Sequence, residues 1–99
     1  MRFEGKVAMI TGGGGGIGSA VCCAFAREGA RVVVVDISED QGMETVRKIT
    51  DNGGEAIFVQ ADVTREEDVK NYVKTAIDTY GHIDCFYNNA GWEGVVSPT

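Results

Sequence analysis

The residues of this chain best suited to chemistry form a glycine-rich segment after a short apolar run. Val7–Ile10 is continuously apolar, Thr11 follows it, and Gly12–Gly16 are consecutive glycines. Backbone N–H groups can approach a pyrophosphate closely only where no Cβ intervenes. A helix that begins after the glycines adds unpaired N–H donors and the positive end of its dipole. The segment therefore predicts a strand, a phosphate-binding turn and a helix start, as in a dinucleotide-binding βαβ unit.

Two glycine patterns overlap in this segment. Gly13–Gly18 satisfies the general fingerprint G-x-G-x-x-G, and Thr11–Gly18 satisfies the more specific pattern T-G-x-x-x-G-I-G. A Walker A loop is excluded because Ser19, rather than Lys, follows the last glycine. A flexible loop without a ligand is the alternative interpretation, but so many glycines would weaken its order unless a ligand required them.

An acidic residue stands where the fingerprint expects one. Asp36 ends the run Arg31–Asp36, which contains four consecutive valines, and it lies 18 positions after Gly18. At this place a carboxylate accepts hydrogen bonds from the adenosine ribose hydroxyls, and it would repel a 2′-phosphate. No Lys or Arg occurs in the glycine loop or at Ile37, so the sequence favours NAD over NADP. A solvated acid at a strand end is the alternative.

Composition and charge limit the classes of function. The chain has 99 residues, a net charge of −6 and 43% hydrophobic residues, which predicts one globular domain spanning residues 1–99. The acidic balance argues against nucleic acid binding. No signal peptide or bilayer-spanning run is recognisable, so we expect no membrane partner and a cytoplasmic location. Three cysteines without metal-ligand spacing indicate neither a disulfide framework nor a zinc site.

The surrounding elements alternate between strand and helix patterns. Alternation with helical connections predicts a parallel sheet in a βαβαβαβ chain, and right-handed crossovers constrain its topology. We expect strand order 3-2-1-4, with the first two helices on one face and the third on the other. The predicted strands are Lys6–Thr11, Arg31–Asp36, Ala56–Val59 and Asp84–Asn88; Gly29, 52–54 and Gly81 are predicted to end the helices.

Two helix starts carry the capping-box pattern. In 38–41, Ser38 is the predicted N-cap and Gln41 its reciprocal partner. In 64–67, Thr64 is the predicted N-cap of the third helix.

Four features together resemble the short-chain dehydrogenase/reductase family: the glycine pattern Thr11–Gly18, then Asp36, then Asp62 with Val63, and finally the run 88–91, N-N-A-G. The resemblance covers nearly the whole chain and implies an α/β fold of the Rossmann type. It implies that Asp62 hydrogen-bonds the adenine amino group and that Val63 packs beside it. The cofactor-binding residues that we predict are Gly12, Gly14, Gly15, Gly16, Ile17, Gly18, Asp36, Ile37, Asp62, Val63, Asn89, Ala90 and Gly91.

The residues that perform the family's chemistry are not found in this chain. The family uses a Tyr-x-x-x-Lys pair and an upstream Ser, but no Lys stands four positions after Tyr72, Tyr80 or Tyr87. The resemblance implies an NAD-binding part of an oxidoreductase that moves hydride between NAD(H) and a secondary alcohol or ketone. We therefore expect no catalytic residue here, a small-molecule substrate and, as is common in the family, a homo-oligomer.

Two other classes of function stay open from the sequence. A stand-alone or truncated nucleotide-binding module without catalysis would need only the features already described. A methyltransferase-type Rossmann fold also uses a glycine turn and an acid after the second strand, although the five-glycine loop and the run 88–91 fit it poorly.

Overall fold

The computed structural model describes residues 3–88. Strands and helices alternate through this part of the chain, as the sequence predicts, and each strand end differs from the expected one by at most one residue. The elements are β1 (Val7–Thr11), α1 (Gly16–Arg27), β2 (Arg31–Asp36), α2 (Glu39–Asp51), β3 (Glu55–Gln60), α3 (Glu66–Tyr80) and β4 (Cys85–Asn88).

The four strands form one parallel sheet in the order β3-β2-β1-β4. This confirms the predicted topology. Because β1 and β4 are neighbours although three helices separate them in sequence, the sheet reverses its winding direction between these two strands. Open α/β sheets bind their ligands at such a switch point, beyond the carboxyl ends of the strands.

Both faces of the sheet are covered by helices, and the valines of β2 show how. Val32 and Val34 pack in one cluster with Cys22 of α1 and Ile49 of α2. Val33 and Val35 pack on the opposite face with residues of α3, among them Tyr72 and Ala76. All four valines are fully buried, which explains why β2 is a continuous apolar run rather than an alternating one. The predicted distribution of helices over the two faces is confirmed.

The helix ends agree with the glycine signals. Gly29, Gly53 and Gly81 follow the three helices with φ values of +98°, +87° and +92°, which glycine adopts without a steric penalty. None of the helices within residues 3–88 has both the length and the apolar content needed to cross a lipid bilayer.

The two predicted capping boxes are only partly correct. Ser38 is the N-cap of α2, and its hydroxyl accepts from the Gln41 N–H. The reciprocal acceptor for the Ser38 N–H is Asp36 Oδ1 at 2.8 Å, not the Gln41 side chain. For α3 the prediction is wrong, because Arg65 is the N-cap and Thr64 instead donates its hydroxyl to Asp62 Oδ1.

The amino ends of β1 and β4 are joined by reciprocal hydrogen bonds. The Val7 N–H donates to Asp84 Oδ2, and the Asp84 N–H donates to the Val7 carbonyl, both at 2.8 Å. His82 Nε2 lies 2.8 Å from the same carboxylate oxygen. The only histidine of the chain therefore lies at the opposite end of β4 from the switch point, at an exposed position.

Candidate cofactor site

A cleft of about 400 Å³ lies beyond the carboxyl ends of β1, β2 and β3. Its lining contains six of the predicted cofactor-binding residues, which come from three separate loops. The lining residues are Gly12, Gly15, Asp36, Ile37, Ala61, Asp62, Val63 and Thr64. Another groove, of about 430 Å³, lies between the C-terminal halves of α1 and α2. Volume therefore does not identify the site, and the position at the carboxyl ends of the strands does.

The first half of the glycine loop is enclosed by protein. Gly12 turns the chain with φ +69°. A Cβ on Gly13 would lie 2.9 Å from Val34 Cγ1 and 3.0 Å from the Cys22 sulfur, and a Cβ on Gly14 would lie 2.8 Å from main-chain atoms of Gln41 in α2. A Cβ at either position would therefore force its neighbours to shift, and packing favours glycine at both.

The second half of the loop is open. A Cβ on Gly15 or Gly16 would meet no packed neighbour within 4 Å among residues 3–88, so packing within that part of the chain does not require glycine there. Gly15 is the N-cap of α1 and provides no side-chain acceptor, and the first turn of the helix carries no acidic residue. The N–H groups of this turn and the positive end of the dipole are therefore available to an anionic group.

Asp36 connects the glycine loop to the next loop. Its Oδ2 accepts the Gly14 N–H at 2.8 Å, and its Oδ1 accepts the Ser38 N–H at 2.8 Å. Each carboxylate oxygen has a second lone pair, so these bonds orient the carboxylate and leave it able to accept from a ligand hydroxyl.

Asp62 is held by its own loop. Its Oδ1 accepts both the hydroxyl of Thr64, at 2.6 Å, and the Thr64 N–H, at 2.9 Å. These two hydrogen bonds, the hydroxyl's first, hold the pKa of Asp62 below its usual value. The Asp62 N–H in turn donates to Asp68 Oδ2, so the loop after β3 is fixed on the first turn of α3.

The remaining predicted residues lie in two groups. Ile17 and Ile37 are large apolar side chains that are 69% and 65% exposed, and Ile37 lines the cleft. Gly18 is buried in the first turn of α1. Asn89, Ala90 and Gly91 lie outside the described residues.

Asn88, which precedes them, accepts the Thr11 hydroxyl at 2.8 Å and so ties the carboxyl ends of β4 and β1 together.

No tyrosine of the described residues lines the cleft. Tyr72 is buried on the side of α3 that packs against the sheet, and burial raises its pKa. The guanidinium carbon of Arg31 lies over the Tyr80 ring, 5.8 Å from its centroid. Burial raises the pKa of Tyr80 as well, and the Glu55 carboxylate adds to this effect. Raised values oppose the deprotonation that a proton relay would need. Within residues 3–88 no cluster of three or more His, Cys, Asp and Glu side chains could hold a metal ion.

The sequence did not reveal the buried polar contacts beneath the loop. The Thr45 hydroxyl of α2, 1% exposed, lies 3.0 Å from the Gly13 carbonyl oxygen and 3.1 Å from Ser19 Oγ. The sequence shows only a threonine within a predicted helix, and a threonine alone does not name a partner.

Comparison with known families places the chain in the class that its site suggests. The model of the short chain dehydrogenase family matches residues 6–98. The chain therefore belongs to the short-chain dehydrogenase family.

Three individual proteins illustrate the similarity. An uncharacterized oxidoreductase of Thermotoga maritima is 47% identical over 91 residues, which are 92% of this chain and 36% of that protein. A crystal structure of hydroxysteroid dehydrogenase from Escherichia coli superimposes with a TM-score of 0.90 at 41% identity, over 94% of this chain and 40% of that one. The structure of NAD+-bound xylitol dehydrogenase has a TM-score of 0.90 at 35% identity, over 95% and 36%. The chain thus spans about a third of the length of the curated relatives it matches.

Proposed function

We propose that residues 1–99 form the NAD-binding part of an oxidoreductase that transfers hydride between NAD(H) and a secondary alcohol or ketone. The observation that carries the proposal is the open pair Gly15 and Gly16 at the start of α1, beside the oriented carboxylate of Asp36. Packing within residues 3–88 does not account for glycine at these two positions, whereas the close approach of a pyrophosphate does.

The cleft residues fit the parts of NAD. The first turn of α1 would bind the pyrophosphate through the N–H groups of Gly16, Ile17 and Gly18. Asp36 would accept from the adenosine ribose. Ile37 and Val63 offer apolar surface for the adenine ring, and Asp62 Oδ2, which accepts no hydrogen bond within residues 3–88, would accept from its amino group. NAD, when bound, supplies the hydride chemistry.

The relatives support the cofactor and the substrate class. The xylitol dehydrogenase structure contains NAD+, and both solved neighbours are dehydrogenases named for alcohols. The negative charge of Asp36 favours NAD over NADP, because the carboxylate would face the 2′-phosphate of the latter.

The test is a calorimetric titration of the purified full chain with NAD and with NADP. We expect NAD to bind more tightly. Asp36→Ala should weaken NAD binding by about tenfold or more, the value of a hydrogen bond to a charged group, and should reduce the preference for NAD. The matched control is Asp40→Ala, because Asp40 is an exposed acid in the first turn of α2. Tighter binding of NADP, or equal losses in both variants, would contradict the cofactor assignment.

Two further titrations separate the other classes of function. S-adenosylmethionine should not bind, and tight binding of that ligand without NAD binding would favour a methyltransferase-type site. NADH formation with secondary alcohols, measured on the natural protein that contains residues 1–99, distinguishes an enzyme from a nucleotide-binding module, because the module would bind NAD and form none.

A further inference from the structure

One peptide group in the glycine loop is held from both sides. The carbonyl of Gly13 and the N–H of Gly14 belong to the same peptide bond. The carbonyl oxygen accepts from the Thr45 hydroxyl at 3.0 Å, and the N–H donates to Asp36 Oδ2 at 2.8 Å. A buried side chain of α2 and the carboxylate at the end of β2 are thus joined through a single planar amide.

We propose that Thr45 is a positioning residue for the cofactor site, which orients the Asp36 carboxylate through the Gly13–Gly14 peptide. The inference rests on the proposed function where it concerns NAD, because Asp36 is there the ribose acceptor. The hydrogen-bonded chain itself is a property of the unliganded protein and can be tested without any cofactor.

The direction of the hydrogen bonds follows from the number of protons. The Thr45 hydroxyl has one proton but lies within bonding distance of Gly13 O, Ser19 Oγ and Gln41 O, at 3.0, 3.1 and 3.3 Å. Main-chain oxygens cannot donate, whereas the Ser19 hydroxyl can. Donation from Ser19 to Thr45 and from Thr45 to the Gly13 carbonyl, the nearest acceptor, satisfies both hydroxyls and the carbonyl.

Burial makes this chain of hydrogen bonds effective. Thr45 is 1% and Ser19 is 9% exposed, so water does not replace the Thr45 hydroxyl readily. Hydrogen bonds in series polarise one another in such surroundings, and donation to the Gly13 carbonyl makes the Gly14 N–H a stronger donor to Asp36. The other contact of that carbonyl, Cys22 Sγ at 3.9 Å, is a weak donor and a poor substitute.

The first experiment measures the Gly14 amide in the unliganded full chain by ¹H–¹⁵N NMR. In Thr45→Val the amide proton should move upfield, because its bond to Asp36 weakens. Thr45→Ser, which keeps the hydroxyl, should restore the wild-type position. Thr50→Val is the matched control: Thr50 lies in the same helix, is exposed, and its hydroxyl donates to the Arg47 carbonyl. An unchanged Gly14 amide in a folded Thr45→Val protein overturns the proposal.

The second experiment measures NAD binding in a double-mutant cycle. Thr45→Val should raise the Kd for NAD about three- to tenfold, the effect of one buried hydrogen bond, and Thr45→Ser should not. In an Asp36→Ala background the same substitution should have little further effect, because Thr45 acts through Asp36. A loss of equal size in both backgrounds overturns the positioning role.

The two proposals fail in different ways. If the wild-type chain binds no NAD, the proposed function fails, while the Gly14 amide still tests the hydrogen-bonded chain. If Thr45→Val does not fold, Thr45→Ala and Ser19→Ala give the same measurement, because each removes one hydroxyl of the hydrogen-bonded series and leaves only a small methyl side chain. An unchanged Gly14 amide in both of these folded variants also overturns the proposal.

Discussion

Gly13 and Gly14 differ from Gly15 and Gly16 in what surrounds them, although the four residues are consecutive. The first pair is packed against Val34, Cys22 and the main chain of α2, whereas a Cβ on either residue of the second pair would meet no packed neighbour among residues 3–88. One residue type therefore serves two purposes in one loop. The enclosed pair lets α2 approach the loop, and the open pair lets a ligand approach it.

The enclosed pair keeps the loop in place, whereas the open pair begins the helix whose N–H groups could bind an anion. The enclosed pair is held by the Val35 carbonyl, Asp36 and Thr45 through three hydrogen bonds. Gly16, by contrast, begins α1 at a helix end that has no side-chain cap. A fixed base therefore supports a first helical turn whose donors are free to meet an anion, which is the preorganisation that a binding site needs.

The largest effect that we expect is the loss of stability in Gly14→Ala. The added Cβ would lie 2.8 Å from the main chain of α2 at Gln41 and Gly42, and backbone atoms cannot move aside as a flexible side chain can. Forced overpacking of this kind costs about 1–3 kcal/mol. Urea unfolding followed by circular dichroism measures it, with Gly15→Ala as the matched control. Equal stability of the two variants would show that Gly14 is no more tightly enclosed than Gly15.

Gly16→Ala should have the opposite pattern, because it should weaken NAD binding without lowering the stability of the fold. Alanine at this helix position removes a glycine from α1 and should leave the free energy of unfolding equal or raise it by about 0.5–1 kcal/mol. Its methyl group would stand where the pyrophosphate is proposed to approach, so the Kd for NAD should rise by about tenfold or more. Calorimetry and urea unfolding on the same sample test both. An unchanged Kd for NAD would show that Gly16 does not contribute to the cofactor site.

Cys22, which lies beneath the enclosed pair, should make stability fall at alkaline pH. Burial, with Cys23 and Asp36 adding to it, raises the pKa of Cys22 from 9.0 to about 12. Because the folded value is raised, this contribution is present below pH 9.0 and is lost as the pH rises toward 12. Relative to Cys22→Ala, the wild type should lose about 1 kcal/mol per pH unit above the ordinary value. A pH-independent difference would mean that the thiol is not enclosed.

The sequence predicted those parts of the molecule that depend on local pattern and chain handedness. The apolar run in β2, the glycines after each helix and the switch between β1 and β4 were all readable, because periodicity and right-handed crossovers leave few alternatives. Six of the cleft residues were predicted, because the dinucleotide fingerprint gives the spacing of the glycines and Asp36, and the family resemblance gives Asp62 and Val63.

The unpredicted contacts depend on how side-chain hydroxyls choose partners. Thr64 could cap α3 or donate to Asp62, and the pattern of residues is the same in both cases. Thr45 lies 32 positions from Gly13 in sequence, and only the packing of α2 against the loop brings them together. Sequence spacing carries no signal for contacts of this kind.

The smallest effect concerns the loop after β3, where the Asp62 carboxylate accepts exposed hydrogen bonds from Thr64. The Thr64 hydroxyl and N–H lower the pKa of Asp62, so the ionised form contributes stability above the ordinary carboxyl value of 3.8 and loses it as the pH falls through the lower folded value. Asp62→Asn should therefore be slightly less stable than wild type at neutral pH, and the difference should vanish in acid. Urea unfolding across the acidic range measures it, with Asp40→Asn as the exposed control. A difference that persists in acid would show that this loop, like the enclosed glycines, is held by packing rather than by charge.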